Sequence, residues 1–266
     1  MEGKIALITG STRGIGAAIA EALAARGCNV MLNGFGEPDD IAAQCEHIRA
    51  SYGVSASHHP ADLAHEADVD ALTRDTVRQL GPIDILVNNA VIRYFHTISD
   101  FERDEWRHAM AVNVTAPFLL TQNVLPSMRA RGFGRIVNFS SVLGMAGRSG
   151  RADYITAKHA MLGLTRATAA ETTDEPNVTC NAICPGTVYT PNTERKIEEL
   201  ADEEGVSFDE AKRLFRSRRG SKALPYIEPE KVARFVVFLC EEASAEITGA
   251  ALPIDQGRSA TWLEAG

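Results

Sequence analysis

The sequence lacks long hydrophobic stretches, and this absence limits where the protein can work. No apolar segment approaches the roughly 20 residues that a membrane-spanning helix needs. The N-terminus reaches the apolar residues 5–8 almost at once, without the layout of a signal peptide. We therefore expect a cytoplasmic protein without a membrane partner.

The sequence also has few cysteines, and it has fewer basic than acidic residues. The five cysteines are an odd number and lack the spacing of metal ligands, which predicts reduced packing residues and no metal site. A net charge of −8 disfavours nucleic acid as a partner, although it leaves room for a local basic pocket. With 266 residues, 45% of them apolar, and no linker-like change of composition, we expect one domain over residues 1–266.

A glycine-rich turn lies between the first predicted strand and the first predicted helix. Residues 4–9 are strand-like, Gly10, Gly14 and Gly16 follow, and residues 17–26 have a helical pattern that ends at Gly27. Such glycines let the backbone approach a ligand closely, and the N–H groups of a helix start favour a pyrophosphate. The arrangement predicts dinucleotide binding, with a glycine-rich turn that holds no ligand as the alternative.

The next two predicted strands leave the identity of the dinucleotide open. Residues 29–32 are followed by Asn33, where NAD-binding proteins usually carry an acidic residue and NADP-binding proteins an arginine nearby. Arg13, on the glycine turn, could meet a 2′-phosphate or could be solvated. After the strand at residues 54–59, Asp62 could accept a hydrogen bond from adenine, cap a helix over residues 64–80, or do both.

Polar residues also follow the later predicted strands. Strands over residues 83–87, 135–139 and 179–183 lead to Asn88-Asn89, Ser140-Ser141 and Pro185-Gly186. A helix is predicted over residues 106–123 and a last strand over residues 250–254. Alternating strands and helices imply a single-domain α/β fold of Rossmann type, with a doubly wound parallel sheet. Ligands bind at the carboxyl ends of such strands, where these polar residues lie.

Tyr154 and Lys158 lie one turn apart on the helix predicted over residues 152–168, so both side chains leave the same face. For a phenol to act as a base near neutral pH, its pKa of about 10 must fall by roughly 3, which corresponds to about 4 kcal/mol. An ammonium about 5 Å away supplies about 3 kcal/mol at an effective dielectric constant of 20. The pair can therefore form a tyrosinate that removes a proton from an alcohol, with the Ser141 hydroxyl on the same oxygen. The alternative is a tyrosine and a lysine on a solvated helix face.

In order and spacing, these residues resemble the short-chain dehydrogenase/reductase family over nearly the whole chain. The resemblance is carried by Thr9-Gly10, Gly14, Gly16, Asn88-Asn89-Ala90, Asn113, Ser141, Tyr154, Lys158 and Pro185-Gly186. It implies an NAD(P)-dependent oxidoreductase in which Tyr154 is the acid and base and Ser141 binds the reacting oxygen. It also implies that Lys158 lowers the pKa of Tyr154 and holds the nicotinamide ribose, while Asn113 supports a water chain. Val91 departs from the family pattern, which usually has glycine there.

The resemblance also implies a dinucleotide site that is spread along the chain. Similarity to bacterial D-3-hydroxybutyrate dehydrogenases, at residues 32–36, 61–63 and 181–186, favours NAD and leaves NADP as the alternative. Family members of this kind are usually tetramers, so we expect a homotetramer. The residues expected to bind the cofactor are Gly10, Thr12, Arg13, Gly14, Ile15, Gly16, Phe35, Asp62, Leu63, Asn89, Tyr154, Lys158, Pro185, Gly186, Val188 and Thr190.

The positions that hold the substrate in those dehydrogenases differ here. A cluster of cations predicts a small substrate with more negative charge than 3-hydroxybutyrate, because guanidinium groups match acid groups in bidentate fashion. Candidates are a hydroxy di- or tricarboxylate and a hydroxyalkyl sulfonate or phosphonate. The expected substrate site contains Ser141 and Tyr154. It also contains six positions at which those dehydrogenases have a different residue: Arg93 replaces glutamine, Leu143 replaces histidine, Arg151 replaces lysine, Thr187 replaces tryptophan, Lys196 replaces glutamine and Arg258 replaces tryptophan.

Other functions stay open at this point. Each of these cations, taken alone, could face solvent, which would favour D-3-hydroxybutyrate dehydrogenase itself. An NADP-dependent ketoacyl or sugar reductase is a second alternative, and a non-catalytic dinucleotide-sensing protein is a third. The intact set of Asn113, Ser141, Tyr154 and Lys158 argues against the sensor, because binding alone does not need it.

Residues 191–225 are the most charged part of the chain and are expected to form a small helical lid over the substrate. Helices are predicted over residues 192–203 and 208–219, the second with a capping box of Ser207 and Glu210, before a core helix over residues 229–240. The basic residues of this segment, Arg219 among them, are expected to be mainly solvated. The C-terminal tail with Trp262 is expected to reach a neighbouring subunit.

Overall fold

Seven parallel strands form the centre of the computed structural model, which describes residues 1–218 and 225–261. Their order across the sheet is β3-β2-β1-β4-β5-β6-β7, which reverses direction between β1 and β4. This order confirms the predicted Rossmann-type sheet. The strands are β1 Ile5–Ile8, β2 Asn29–Asn33, β3 Ala56–His59, β4 Ile85–Asn88, β5 Gly134–Phe139, β6 Val178–Pro185 and β7 Ala251–Ile254.

Helices cover both faces of the sheet. They are α1 Gly14–Ala24, α2 Pro38–Tyr52, α3 Glu66–Gln79, α4 Arg103–Met110, α5 Ala116–Arg131, α6 Ala152–Glu171, α7 Pro191–Glu204, α8 Phe208–Ser217 and α9 Pro229–Cys240. Strand β1 is therefore apolar along its whole length. Its Ala6 and Ile8 pack in the core on the side of α1 and α9, while Ile5 and Leu7 pack towards α3 and α5. A 3₁₀ turn, Val142–Gly144, follows β5.

The helix predicted over residues 106–123 is longer than expected and is not regular. It extends from α4 through α5, and a π-helical segment, Ala111–Thr115, joins the two. Such π segments are rare and frequently lie at functional sites. This one carries Asn113.

Helices α7 and α8 pack against each other around Ile197, Leu200 and Ala211, which form a small core of their own. Half of the predicted capping box is present, because the Ser207 hydroxyl accepts a hydrogen bond from the Glu210 N–H at 3.3 Å. The Glu210 carboxylate pairs with Arg213 instead. Arg219 and Trp262 lie outside the described residues.

The five cysteines are buried and unpaired, as the sequence predicts. Among the described residues, no helix combines the length and the apolar composition needed to cross a membrane.

The buried carboxylate of Asp84 connects β1, β4 and α5, and its replacement should destabilise the fold. It accepts a hydrogen bond from the Ile5 N–H at 2.9 Å and pairs with Arg131. In Asp84→Asn the Arg131 guanidinium loses its ionic partner, so we expect the free energy of unfolding in urea to fall by about 2 kcal/mol. The control Asp104→Asn removes an exposed pair with Arg107 and should leave the denaturation midpoint unchanged. Equal midpoints for both variants would contradict this role of Asp84.

Candidate active site

A cavity of about 580 Å³ lies at the carboxyl ends of the strands. Its walls include Asn89 after β4, Ser141 after β5 and Gly186 after β6. Tyr154 and Lys158 enter the same cavity from α6. The fold thus brings together residues that are far apart in the sequence, at the edge where ligands bind in sheets of this type.

The Tyr154 and Lys158 side chains lie on one face of α6 and are both buried. The Lys158 Nζ lies 5.6 Å from the centroid of the Tyr154 ring, close to the separation expected from helical spacing. It also donates a hydrogen bond to the Phe139 carbonyl at 2.5 Å, so the end of β5 holds it in place.

Ser141 is positioned by the tight turn after β5. Its hydroxyl accepts a hydrogen bond from the Leu143 N–H at 3.1 Å and also bonds with the Tyr154 hydroxyl. The turn lies so close to α6 that a Cβ on Gly144 would be 2.2 Å from the Ser140 Oγ and 2.8 Å from the Lys158 carbonyl oxygen. Glycine at position 144 therefore allows the approach that puts Ser141 beside Tyr154.

Positive charges determine the ionisation of Tyr154. Burial alone would raise the pKa of this phenol, yet the pKa lies below its ordinary value. Arg93, Lys158, the Ser141 hydrogen bond and Arg151, in decreasing order, lower the pKa and together outweigh burial. The guanidinium carbons of Arg93 and Arg151 each lie 4.9 Å from the centre of the Tyr154 ring. The sequence predicted that Lys158 lowers the pKa of Tyr154. The structure shows that Lys158 shares this effect with Arg93, which contributes more.

The backbone on either side of Arg93 is fixed by buried side chains. Asn113 accepts a hydrogen bond from the Ile92 N–H and donates one to the Ile92 carbonyl, both at 2.9 Å. Asp153, fully buried in the first turn of α6, accepts from the Tyr94 N–H at 2.9 Å. The segment that carries Arg93 is thus held by Asn113 and Asp153. Asn113 was expected from the family pattern, whereas Asp153 was not singled out from the sequence.

The glycine turn has the geometry and the donors that a dinucleotide needs. A Cβ on Gly16 would lie 2.2 Å from the Gly10 carbonyl oxygen, so the turn requires glycine there. The Asn89 amide donates to the carbonyls of Thr9 and Gly10 and supports the turn. Arg13, the residue before α1, offers no side-chain cap, which leaves the first N–H groups of the helix available to a pyrophosphate. These residues fit the phosphates of a dinucleotide.

Several residues of the predicted cofactor site lie outside the lining of this cavity. The Thr12 hydroxyl donates to the Phe35 carbonyl at 2.9 Å, and the Phe35 ring is exposed. The Asp62 carboxylate accepts from the Ala64 N–H, whereas α3 begins after His65, so the predicted cap of that helix is wrong. Leu63 is buried in the core on the α3 side. The residues of this set that line the cavity are Ile15, Asn89, Tyr154, Lys158, Pro185, Gly186, Val188 and Thr190.

Most of the predicted substrate positions lie in the cavity wall, and Lys196 does not. Its ammonium lies 4.2 Å from the centroid of the Phe95 ring, which also contacts the Arg151 guanidinium at 4.4 Å. Arg151 is 8% exposed, and its buried Nε has no hydrogen-bond partner among the described residues. The positions that line the cavity are Arg93, Ser141, Leu143, Arg151, Tyr154, Thr187 and Arg258.

Two further arginines in the wall were not assigned to the site from the sequence. Arg148 and Arg218 line the same cavity, and within the described part of the chain every charged residue of the lining is a cation. Arg148 stands between two glycines, Gly147 and Gly150, just ahead of α6, a setting that could have indicated a loop beside the site. Arg218 is paired with Glu204 at 2.5 Å, so its charge is compensated locally.

Comparisons with known proteins agree with this geometry. Residues 4–201 match the short chain dehydrogenase family. The chain is 39% identical over 258 residues to the D-beta-hydroxybutyrate dehydrogenase of Cupriavidus necator, covering 97% of this chain and 98% of that protein. It is 35% identical over 254 residues to the acetoacetyl-CoA reductase of Allochromatium vinosum, covering 96% and 98%. The crystal structure of L-sorbose reductase from Gluconobacter frateurii, complexed with NADPH and L-sorbose, has a TM-score of 0.89 at 30% identity, covering 96% of this chain and 95% of that one.

The ionisation of Tyr154 can be measured directly. The chain has five tyrosines, so the ultraviolet difference between the protein and its Tyr154→Phe variant isolates this one. We expect the difference to titrate below the ordinary pKa of about 10. Arg93→Gln removes a charge that favours the phenolate, so the titration should move to higher pH. Arg107→Gln, a change in an exposed pair, should leave it in place. A titration that Arg93→Gln does not move would show that this charge does not act on the phenol.

Proposed function

The chain belongs to the short-chain dehydrogenase family, and from this premise we propose that it transfers a hydride between NAD and a small anionic hydroxy compound. Membership makes it an oxidoreductase that uses a nicotinamide cofactor and acts on CH–OH groups. The observation that carries the narrower proposal is the site itself. A phenol of lowered pKa, Tyr154, lies in a cavity whose described charged residues are all cations.

The proposed reaction divides the work among a few side chains. The Tyr154 phenolate accepts the proton of the substrate hydroxyl, and the Ser141 hydroxyl holds the same oxygen. Arg93 and Lys158 lower the pKa of Tyr154 against the effect of burial, which favours the proton transfer. A bound nicotinamide supplies the hydride acceptor, so the alcohol loses one hydride and one proton and becomes a ketone. Reduction of the ketone follows the same steps in reverse, with Tyr154 as the proton donor.

The end of β2 supports NAD rather than NADP. An NADP site needs a cation near the 2′-phosphate. The end of β2 and the residues after it offer Asn33, Gly34 and Phe35, and the Asn33 amide already donates to the His59 and Ala61 carbonyls. Arg13 is exposed and is the cation on the adjacent turn. Activity with both cofactors distinguishes the two cases.

The cations of the cavity support a substrate with more negative charge than 3-hydroxybutyrate. A buried guanidinium such as Arg151, which makes no described hydrogen bond through its Nε, is costly unless an anion pairs with it. The proposed classes are a hydroxy di- or tricarboxylate and a hydroxyalkyl sulfonate or phosphonate. D-3-hydroxybutyrate is the second candidate, because of the similarity to a D-beta-hydroxybutyrate dehydrogenase over nearly the whole chain.

We propose that α7 and α8 act as a lid over this substrate. Asn192 and Thr193 at the start of α7 line the cavity, as does Arg218 just after α8. The two helices have their own small core, so they can shift as a unit. Assembly as a homotetramer and a cytoplasmic location stay predictions from the sequence.

A panel of hydroxy acids tests the proposed function. NAD reduction is measured with D-3-hydroxybutyrate, malate, tartrate, citrate, hydroxypropyl sulfonate and hydroxypropyl phosphonate, and NADP is run in parallel. We expect one of the other anions to exceed hydroxybutyrate in kcat/KM by about tenfold or more, which is the value of one added charge-assisted hydrogen bond. NAD should be preferred over NADP. If hydroxybutyrate is the best substrate, the second candidate replaces the first, and the cations of the cavity do not select a more negatively charged substrate.

A further inference from the structure

We propose that Asp153 is a positioning residue for the proton transfer at Tyr154, because it fixes the backbone that presents Arg93 to the phenol. The inference rests on the proposed function, in which Tyr154 is the acid and base. It goes further by giving a role in the reaction to a buried carboxylate that lies outside the described lining of the cavity.

Asp153 lies where three parts of the site meet. Along the chain it stands between Arg151 and Tyr154, in the first turn of α6. Its Oδ2 accepts a hydrogen bond from the N–H of Tyr94, the residue after Arg93, at 2.9 Å. The side chain is fully buried. One carboxylate thus joins the start of the helix that carries the phenol to the loop that carries Arg93.

Residues 92–94, called the Arg93 segment, are held on both sides of Arg93. On one side, Asn113 bonds with the N–H and the carbonyl of Ile92, both at 2.9 Å. On the other side, Asp153 holds the Tyr94 N–H. The Arg93 side chain is itself exposed, so packing around it fixes it only in part. The place of its guanidinium over the phenol ring, at 4.9 Å, therefore depends on these two backbone supports.

The setting of Asp153 is costly for a residue that only caps or packs. Its Oδ1 has no hydrogen-bond partner among the described residues, and burying a carboxylate with an unused oxygen costs free energy. Its charge acts on Arg151. Burial lowers the pKa of Arg151, Arg93 lowers it further, and Tyr154 and Asp153 raise it. Asp153 thus supports both arginines on the Tyr154 ring, one through the backbone and one through its charge.

Two other roles of Asp153 make different predictions. A carboxylate in the first turn of a helix interacts favourably with the helix dipole, and in that role its charge matters rather than its bond to Tyr94. An anchor that serves only the fold would add stability without any effect on the phenol. The positioning role instead requires an acceptor atom in the place of Oδ2, whether or not that atom is charged.

Two substitutions of similar shape separate these roles. Asp153→Asn keeps an oxygen that can accept from the Tyr94 N–H, and its amide nitrogen takes the place of an oxygen without a described partner. Asp153→Leu keeps the branched shape and removes the acceptor. The ionisation of Tyr154 is measured as the ultraviolet difference between each variant and the same variant with Tyr154→Phe. This titration needs no substrate and no turnover.

The leucine variant should move the Tyr154 titration to higher pH by about one unit, since it loosens a cation that lowers the pKa against burial. At neutral pH the phenolate fraction, and with it kcat/KM for the best substrate of the hydroxy-acid panel, should fall about tenfold. NAD affinity should be unchanged. The asparagine variant should titrate close to the wild type.

Two further variants serve as controls. Adding Arg93→Gln to Asp153→Leu should cause little further shift, because the proposed effect of Asp153 on the phenol passes through Arg93. Asp84→Asn is expected to destabilise the fold through its bond to Ile5 and its pair with Arg131, and it should not move the titration. A general loss of stability is thereby separated from a change at the phenol.

Every outcome decides the matter. A leucine variant that titrates like the wild type, or an asparagine variant that shifts upward as far as the leucine variant, would overturn the positioning role. So would a full further shift on adding Arg93→Gln. If the leucine variant does not fold, the asparagine variant decides, since an upward shift in it overturns the role and an unchanged titration supports it. The expected titrations without turnover of any hydroxy compound would keep the positioning of Arg93 and overturn the proposed reaction.

Discussion

The burial of the Tyr154 phenol among positive charges is the interaction on which the rest of the site depends. Removal from water disfavours a phenolate, and a phenol that stays protonated cannot take a proton from an alcohol. Arg93, Lys158, the Ser141 hydrogen bond and Arg151 together reverse this effect. The dependence is mutual, because burial lowers the pKa of Lys158 and the charge of Tyr154 offsets part of that decrease. Each residue of the pair stabilises the charged form of the other.

In the proposed function, the same charges link proton transfer to the choice of substrate. Arg93 and Arg151 lie against the Tyr154 ring and also line the cavity wall. An anionic substrate would therefore bind next to the group that must ionise, and would partly neutralise the charges that help it to do so. Asn113 and Asp153 hold the backbone beside Arg93, which keeps this cation in position. In this proposal, substrate binding and proton transfer share one set of arginines.

Local sequence patterns were enough to predict much of this structure. Continuous apolar strands, the glycine turn and the helical spacing of Tyr154 and Lys158 all depend on residues near one another in the chain. Features that depend on contacts between distant elements were harder to predict from the sequence. The π segment around Asn113 has no signature in the helical pattern. Asp62 was one candidate for the α3 cap, but the chain turns once more and α3 begins after His65. Lys196 was expected in the site but lies on α7 outside the cavity lining, whereas Arg148, in the loop before α6, was not expected and lines the cavity. Which cation reaches the cavity depends on the packing of α7 and the path of that loop, which local sequence patterns do not specify.

The measurement that tests the central claim most directly is hydride transfer in the Tyr154→Phe variant, with NAD binding measured in the same sample. Phenylalanine keeps the ring and its contacts with Arg93, Arg151 and Lys158, and removes only the ionisable hydroxyl. The account predicts that NAD still binds with nearly unchanged affinity, while turnover of every substrate of the wild type falls to background. Substantial turnover in this variant would contradict it, because another group would then have to take the proton.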